Sequence, residues 1–313
     1  MVLLIIFIRK MGIKMIRNNL LSQELLTSPV TRYVGFFAVI FVIAIFDILY
    51  GRLMLDPSSL YPFLIMMIVP AGFGLINGWN FIRIIRRSCI PIGIIVCIAN
   101  WALVFPVLDS HDQVLLQTRL TYAPLALSIV LAFLLPIIET TEKEDIKKSK
   151  GSFILAFISV LIAFGLLIEY FSQFDDQLSW SSYLRIDTLI ICLVIIFVGF
   201  IHPKMVSLKP AEKIYKSSLG VVIFFAIFGV SSYVFGVATD DGIVPFIASM
   251  LGILYGAMSS LMSIVAGANL RESDQEAMFY DWHMIESYAF YVLIVLPPPS
   301  MLEMIGSGGY YLE

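Results

Sequence analysis

Residues 152–171 read SFILAFISVLIAFGLLIEYF, with no charged side chain before Glu169. The run is continuously apolar rather than alternating, which points to a helix and away from a barrel strand. As an α-helix its length is roughly 30 Å, the thickness of the hydrocarbon core of a bilayer. Helices are also the structures whose backbone polar groups are satisfied without water. Seven further segments pass the same test: 33–51, 60–79, 89–108, 121–139, 184–202, 217–237 and 243–267. The expectation is an all-α polytopic integral membrane bundle of about eight transmembrane helices.

Composition agrees. Of the 313 residues, 59% are hydrophobic and 14% charged, against roughly 45–50% and 25% in soluble domains. Water-soluble packing cannot hide that much apolar surface. Lysine and arginine alternate in density along the chain. Arg9, Lys10, Lys14, Arg17 and Arg32 precede the first segment, and Arg83, Arg86 and Arg87 follow the second. Lys143, Lys147, Lys148 and Lys150 follow the fourth, Lys204, Lys209, Lys213 and Lys216 the sixth, and Arg271 the eighth. The intervening connections hold only Arg52, Arg119 and Arg185. Basic residues gather on the cytoplasmic side, so the N-terminus is expected there, in a bacterial plasma (inner) membrane. The opposite side collects Asp56, Asp109, Asp112, Asp175, Asp176, Asp240 and Asp241.

Three parts are expected: a cytoplasmic N-terminal arm (1–32), a membrane domain of eight helices (33–267) and a C-terminal part (268–313). In the arm, the apolar run 1–8 precedes its basic residues, the reverse of a secretory signal. It reads as an interfacial anchor, or as an overextended start with Met15 as the initiator. In the C-terminal part, 272–286 (ESDQEAMFYDWHMIE) reads as a cytoplasmic amphipathic helix and a surface for a protein partner. The apolar run 287–296 ends at Pro297, Pro298 and Pro299. Ten residues cover roughly half the hydrocarbon core and prolines forbid continued helix. A half-penetrating segment is favoured over a ninth crossing. An internal four-plus-four repeat, aligning Gly93 with Gly220 and Ala99 with Ala226, is a weaker possibility.

Candidate polar sites are few. Asp47, Glu169 and Asp187 fall near one expected membrane boundary, where three carboxylates would make a cation-attracting vestibule. The plainer reading seats them among headgroups, paired with Arg52 and Arg185. Asn100, beside Trp101 in the third segment, must find partners in hydrocarbon, as helix glue or as a solute contact. In the eighth segment Ala248, Gly252, Gly256, Ser260, Ser263 and Gly267 share one face, the pattern of a tightly packed helix. Pro70, Gly72, Gly74 and Gly78 would let the second segment kink or unwind.

Several classes find no support. Cys89, Cys97 and Cys192 match no metal or redox spacing, and His111, in DSHD (109–112), lacks companions for a zinc site. No phosphate-binding loop, HExxH or GxSxG occurs, and no basic stripe suggests nucleic acid. No cofactor or enzymatic activity is expected. Two readings remain: a small-solute or cation-linked transporter, and a non-catalytic membrane anchor or assembly subunit of a larger complex.

Overall fold

The computed structural model describes Val34, Phe37, Ala38, Ile40, Phe41 and Ile45, and then residues 57–77, 81–101, 111–138, 153–174, 179–203, 208–236 and 243–267. Among the described residues every regular element is helical and no strand occurs. Seven α-helices follow in order: α1 (Pro57–Asn77), α2 (Phe81–Trp101), α3 (His111–Ile138), α4 (Phe153–Ser172), α5 (Ile186–Ile201), α6 (Pro210–Gly236) and α7 (Ile243–Val265). A 3₁₀ turn, Trp180–Tyr183, precedes α5. Three stretches are long and apolar enough to cross a bilayer: Leu60–Asn77, Phe153–Ser172 and Ile247–Val265.

Several helices overrun the apolar segments that announced them. α2 begins at Phe81 rather than 89, α3 at His111 rather than 121, and α6 at Pro210 rather than 217. Hydropathy marks where a chain meets oil, whereas backbone hydrogen bonding continues beyond that edge. A proline opens α1 and α6, at the position where its missing N–H costs nothing. Arg83, Arg86 and Arg87, expected in a loop, therefore lie in the first two turns of α2. Arg119, Lys213 and Lys216 are likewise helical. α1 runs unbroken through Pro62 and Pro70, so the unwinding that its prolines and glycines permit does not occur within Pro57–Asn77.

The core is built around two helices. α2 is buried at Ile84 and at every position from Arg86 to Trp101. α7 is enclosed almost as completely along Ile247–Val265. α7 packs on α6, α2, α4, α5 and α1, and α2 on α3, α7, α1 and α4. Glycines set the closest approaches. A Cβ on Gly93 of α2 would overlap Ser128 of α3, one on Gly199 of α5 would overlap Ser217 of α6, and one on Gly252 of α7 would overlap the Phe225 ring of α6. Small residues at such crossings are how helices pack in lipid, where burying larger apolar groups brings no hydrophobic gain.

The outer helices leave many large apolar side chains exposed. α5 buries Thr188 and Cys192 while exposing Ile190, Leu193, Val194, Phe197 and Val198. α4 buries Ala156, Val160, Ala163, Phe164, Leu167, Ile168 and Phe171, yet still exposes Ile154, Leu155, Phe157, Ile158, Ile162 and Leu166. A helix in water keeps its exposed face polar. An apolar exterior of this extent is compatible with a membrane-embedded protein.

Candidate functional site

Within α2 the side chains that matter are the polar ones. Arg86 is 4% exposed, Arg87 6% and Asn100 3%, and Ser88 is fully enclosed. Their burial follows from the central place of the helix, because neighbours cover its whole circumference. Loop counting placed the arginines in the connection between the second and third segments. The signal that locates them inside is the apolar residues Phe81, Ile82, Ile84 and Ile85 ahead of them, which continue the helix back past the charges.

Asn100 lies at the other end of α2, beside Trp101, whose ring meets Tyr122 of α3 edge-on at 6.3 Å. The adjacent carbonyl, that of Ala99, accepts a hydrogen bond of 2.8 Å from the Tyr183 hydroxyl. Tyr183 comes from the segment between α4 and α5, which folds back onto the bundle. Trp180 packs against Gly165, where a Cβ would come within 2.8 Å of the indole. Phe164 of α4 meets both rings edge-on, Trp180 at 5.8 Å and Tyr183 at 5.6 Å.

A hydrogen-bonded chain runs outward from there. The Tyr255 hydroxyl of α7 donates to the Tyr183 carbonyl at 2.7 Å and accepts from the Arg185 N–H at 2.9 Å. Arg185 Nε is 2.9 Å from both carboxylate oxygens of Asp187. Asp187 Oδ1 also accepts from the Thr188 N–H at 2.8 Å, at the start of α5. The chain thus links the neighbour of Asn100, deep in the core, to an exposed ion pair. Tyr183→Phe leaves the Ala99 carbonyl without this donor, which costs about 1–3 kcal/mol for a buried acceptor. A lower thermal midpoint in detergent for Y183F, with no change in secondary structure, is the expected result. An unchanged midpoint counts against this network as a strut.

The other sequence candidates fall as follows. Asp187 is exposed and held by Arg185. Glu169 is exposed on α4, and its carbonyl accepts from the Ser172 hydroxyl. Asp47 lies outside the described residues, as do Arg52 and 272–313. Gly252 and Gly256 of α7 face Phe225, Val222 and Ser218 of α6. The Ser263 hydroxyl bonds back to the Ser259 carbonyl at 2.8 Å, the local arrangement that satisfies a serine inside a helix. Ser249 reaches across instead, to the Phe225 carbonyl of α6 at 2.5 Å. Ser88 and Ser260 are buried hydroxyls without a hydrogen-bond partner among the described residues. All three cysteines are buried thiols. Among the described residues no cluster of three or more His, Cys, Asp and Glu side chains is placed to hold a metal ion. Comparison with family models, with curated proteins and with solved structures finds nothing that matches this chain.

Proposed function

We propose that this chain is an eight-crossing integral membrane permease for a small solute, with α2 as the helix that contacts it. In this reading it sits in a bacterial plasma membrane with its N-terminus in the cytoplasm. One observation carries the assignment: the central helix encloses two arginines and an asparagine. Ionisable groups inside a membrane bundle are costly unless they face water, a partner or a substrate, and they are candidates for a functional site by default. Ser88 and Ser260 add buried hydroxyls without a hydrogen-bond partner among the described residues. A cation-linked mechanism built on Glu169 and Asp187 draws less support, since both are exposed and Asp187 is held by Arg185. The solute contact is therefore assigned to α2 rather than to the acids.

Water access to the interior is the discriminating property. Ser88→Cys and Ser260→Cys are placed singly in a background of Cys89→Ala, Cys97→Ala and Cys192→Ala. Each variant is treated in proteoliposomes with a charged, membrane-impermeant methanethiosulfonate. A permease exposes these positions to water during its cycle, so both thiols are modified at least tenfold faster than a cysteine placed at the buried Leu254. Complete protection of both overturns the proposal and favours the alternative, a packed anchor or assembly subunit.

A further inference from the structure

Residues 179–185 cross one end of the bundle as a strap and are anchored there by one side chain. Within that stretch Tyr183 alone is buried, while Trp180 and Leu184 are exposed. Tyr183 joins two helices at once. Its hydroxyl donates to the Ala99 carbonyl of α2, and its carbonyl accepts from the Tyr255 hydroxyl of α7. The anchor therefore bridges the two most enclosed helices, at the residue next to Asn100.

The bonds that seat this strap can be exchanged for water without unwinding a helix. Ala99 lies in the last turn of α2, where carbonyls lack a partner within the helix. The Arg185 N–H, bonded to the Tyr255 hydroxyl, belongs to the residue that precedes α5. All three bonds join neutral groups, and one such bond shifts an equilibrium by roughly two- to twelvefold. The strap is thus held by contacts that are modest singly and selective together. In the topology proposed above, the connection between α4 and α5 lies on the side opposite the N-terminus.

We infer that residues 179–185 are the outer gate of the solute path along α2, closed when Tyr183 is seated and open when it withdraws from Ala99 and Tyr255. The inference rests on the permease reading, and the experiment separates the two. Ala99→Cys places a reporter thiol at a buried position beside the anchor, in the full chain with Cys89, Cys97 and Cys192 replaced by alanine. Asn100→Cys is a second reporter, used if Ala99→Cys does not accumulate. Ser217→Cys, buried where α6 crosses the far end of α5, is the control. Each is reconstituted in proteoliposomes and treated on both faces with an impermeant methanethiosulfonate, with the strap intact and with Tyr183→Phe or Tyr255→Phe. Tyr183→Phe removes one bond and speeds modification of the reporter at least about twofold. Tyr255→Phe removes two and speeds it at least about fivefold. The Ser217→Cys rate stays unchanged in both. No acceleration at the reporter, or equal acceleration at Ser217→Cys, overturns the gate. Protection of Ser88→Cys and Ser260→Cys overturns the permease, and the gate with it. Water access at those serines with no effect of the strap variants overturns the gate alone.

Discussion

Val194→Asp removes the protein from the membrane fraction. Val194 stands in the middle of α5 and is 55% exposed. In a water-soluble protein a substitution at so open a position changes stability by about 0.5 kcal/mol or less. In a bilayer the same aspartate, at the centre of a membrane helix, costs about 2.5–3.5 kcal/mol on insertion scales, roughly a hundredfold in partitioning. Asp187 escapes that penalty because it sits at the first turn of α5, paired with Arg185 and bonded to the Thr188 amide. The measurement is the amount of chain in carbonate-washed membranes, with Val194→Leu as the reference. Wild-type accumulation of V194D overturns the proposal that this face of α5 meets lipid.

Gly252→Leu separates α6 from α7 and leaves little folded protein to recover. The glycine lies against the ring of Phe225, and the next small residue on the face, Gly256, lies against Val222 and the Ser218 carbonyl. Overpacked sites in ordinary cores cost about 1–3 kcal/mol because neighbours can shift by fractions of an ångström. Here the neighbour is a buried aromatic ring wedged between two helices. Ser249 and the Phe225 carbonyl, hydrogen-bonded across the same crossing, tie the backbones together on one side. The cost therefore exceeds the ordinary range. Fluorescence-detected size-exclusion chromatography of a tagged chain reads the result, with a monodisperse peak for wild type and aggregate for G252L. The double variant Gly252→Leu with Phe225→Ala is expected to recover part of the peak, since truncating the ring opens the space. A normal profile for G252L alone argues against this crossing.

The parts of this architecture that were legible in the sequence are those governed by solvent transfer. Apolar runs located α4 and α7 to within a few residues because their ends coincide with charged or polar neighbours. They misplaced the start of α2 by eight residues, because Arg83, Arg86 and Arg87 lower hydropathy without interrupting a helix. The small-residue face of α7 could be read directly from its spacing, but the identity of its partner, α6, could not. Composition does not say which helix a glycine faces. The candidate site was harder still. Asn100 was visible as an amide in an apolar run, while Tyr183 and Tyr255, which link that level of α2 to Asp187, carry no spacing or motif that marks them. Their roles come from a loop folding back across the bundle end, a long-range event that leaves no periodic trace.

The enclosure of α2 has a consequence for biosynthesis. The helix that ends up most shielded is made early, and one of the helices that shields it, α7, is made last among those described. About 140 residues separate Trp101 from Ile243, so at usual elongation rates roughly 7–28 s pass between them. Throughout that interval two arginines and an asparagine lack part of their final covering. Until α7 is made, α1 and α3 are the neighbours that cover α2 first. A chain that ends between α4 and α7 should leave the polar groups of α2 incompletely covered and be degraded faster than the full-length protein.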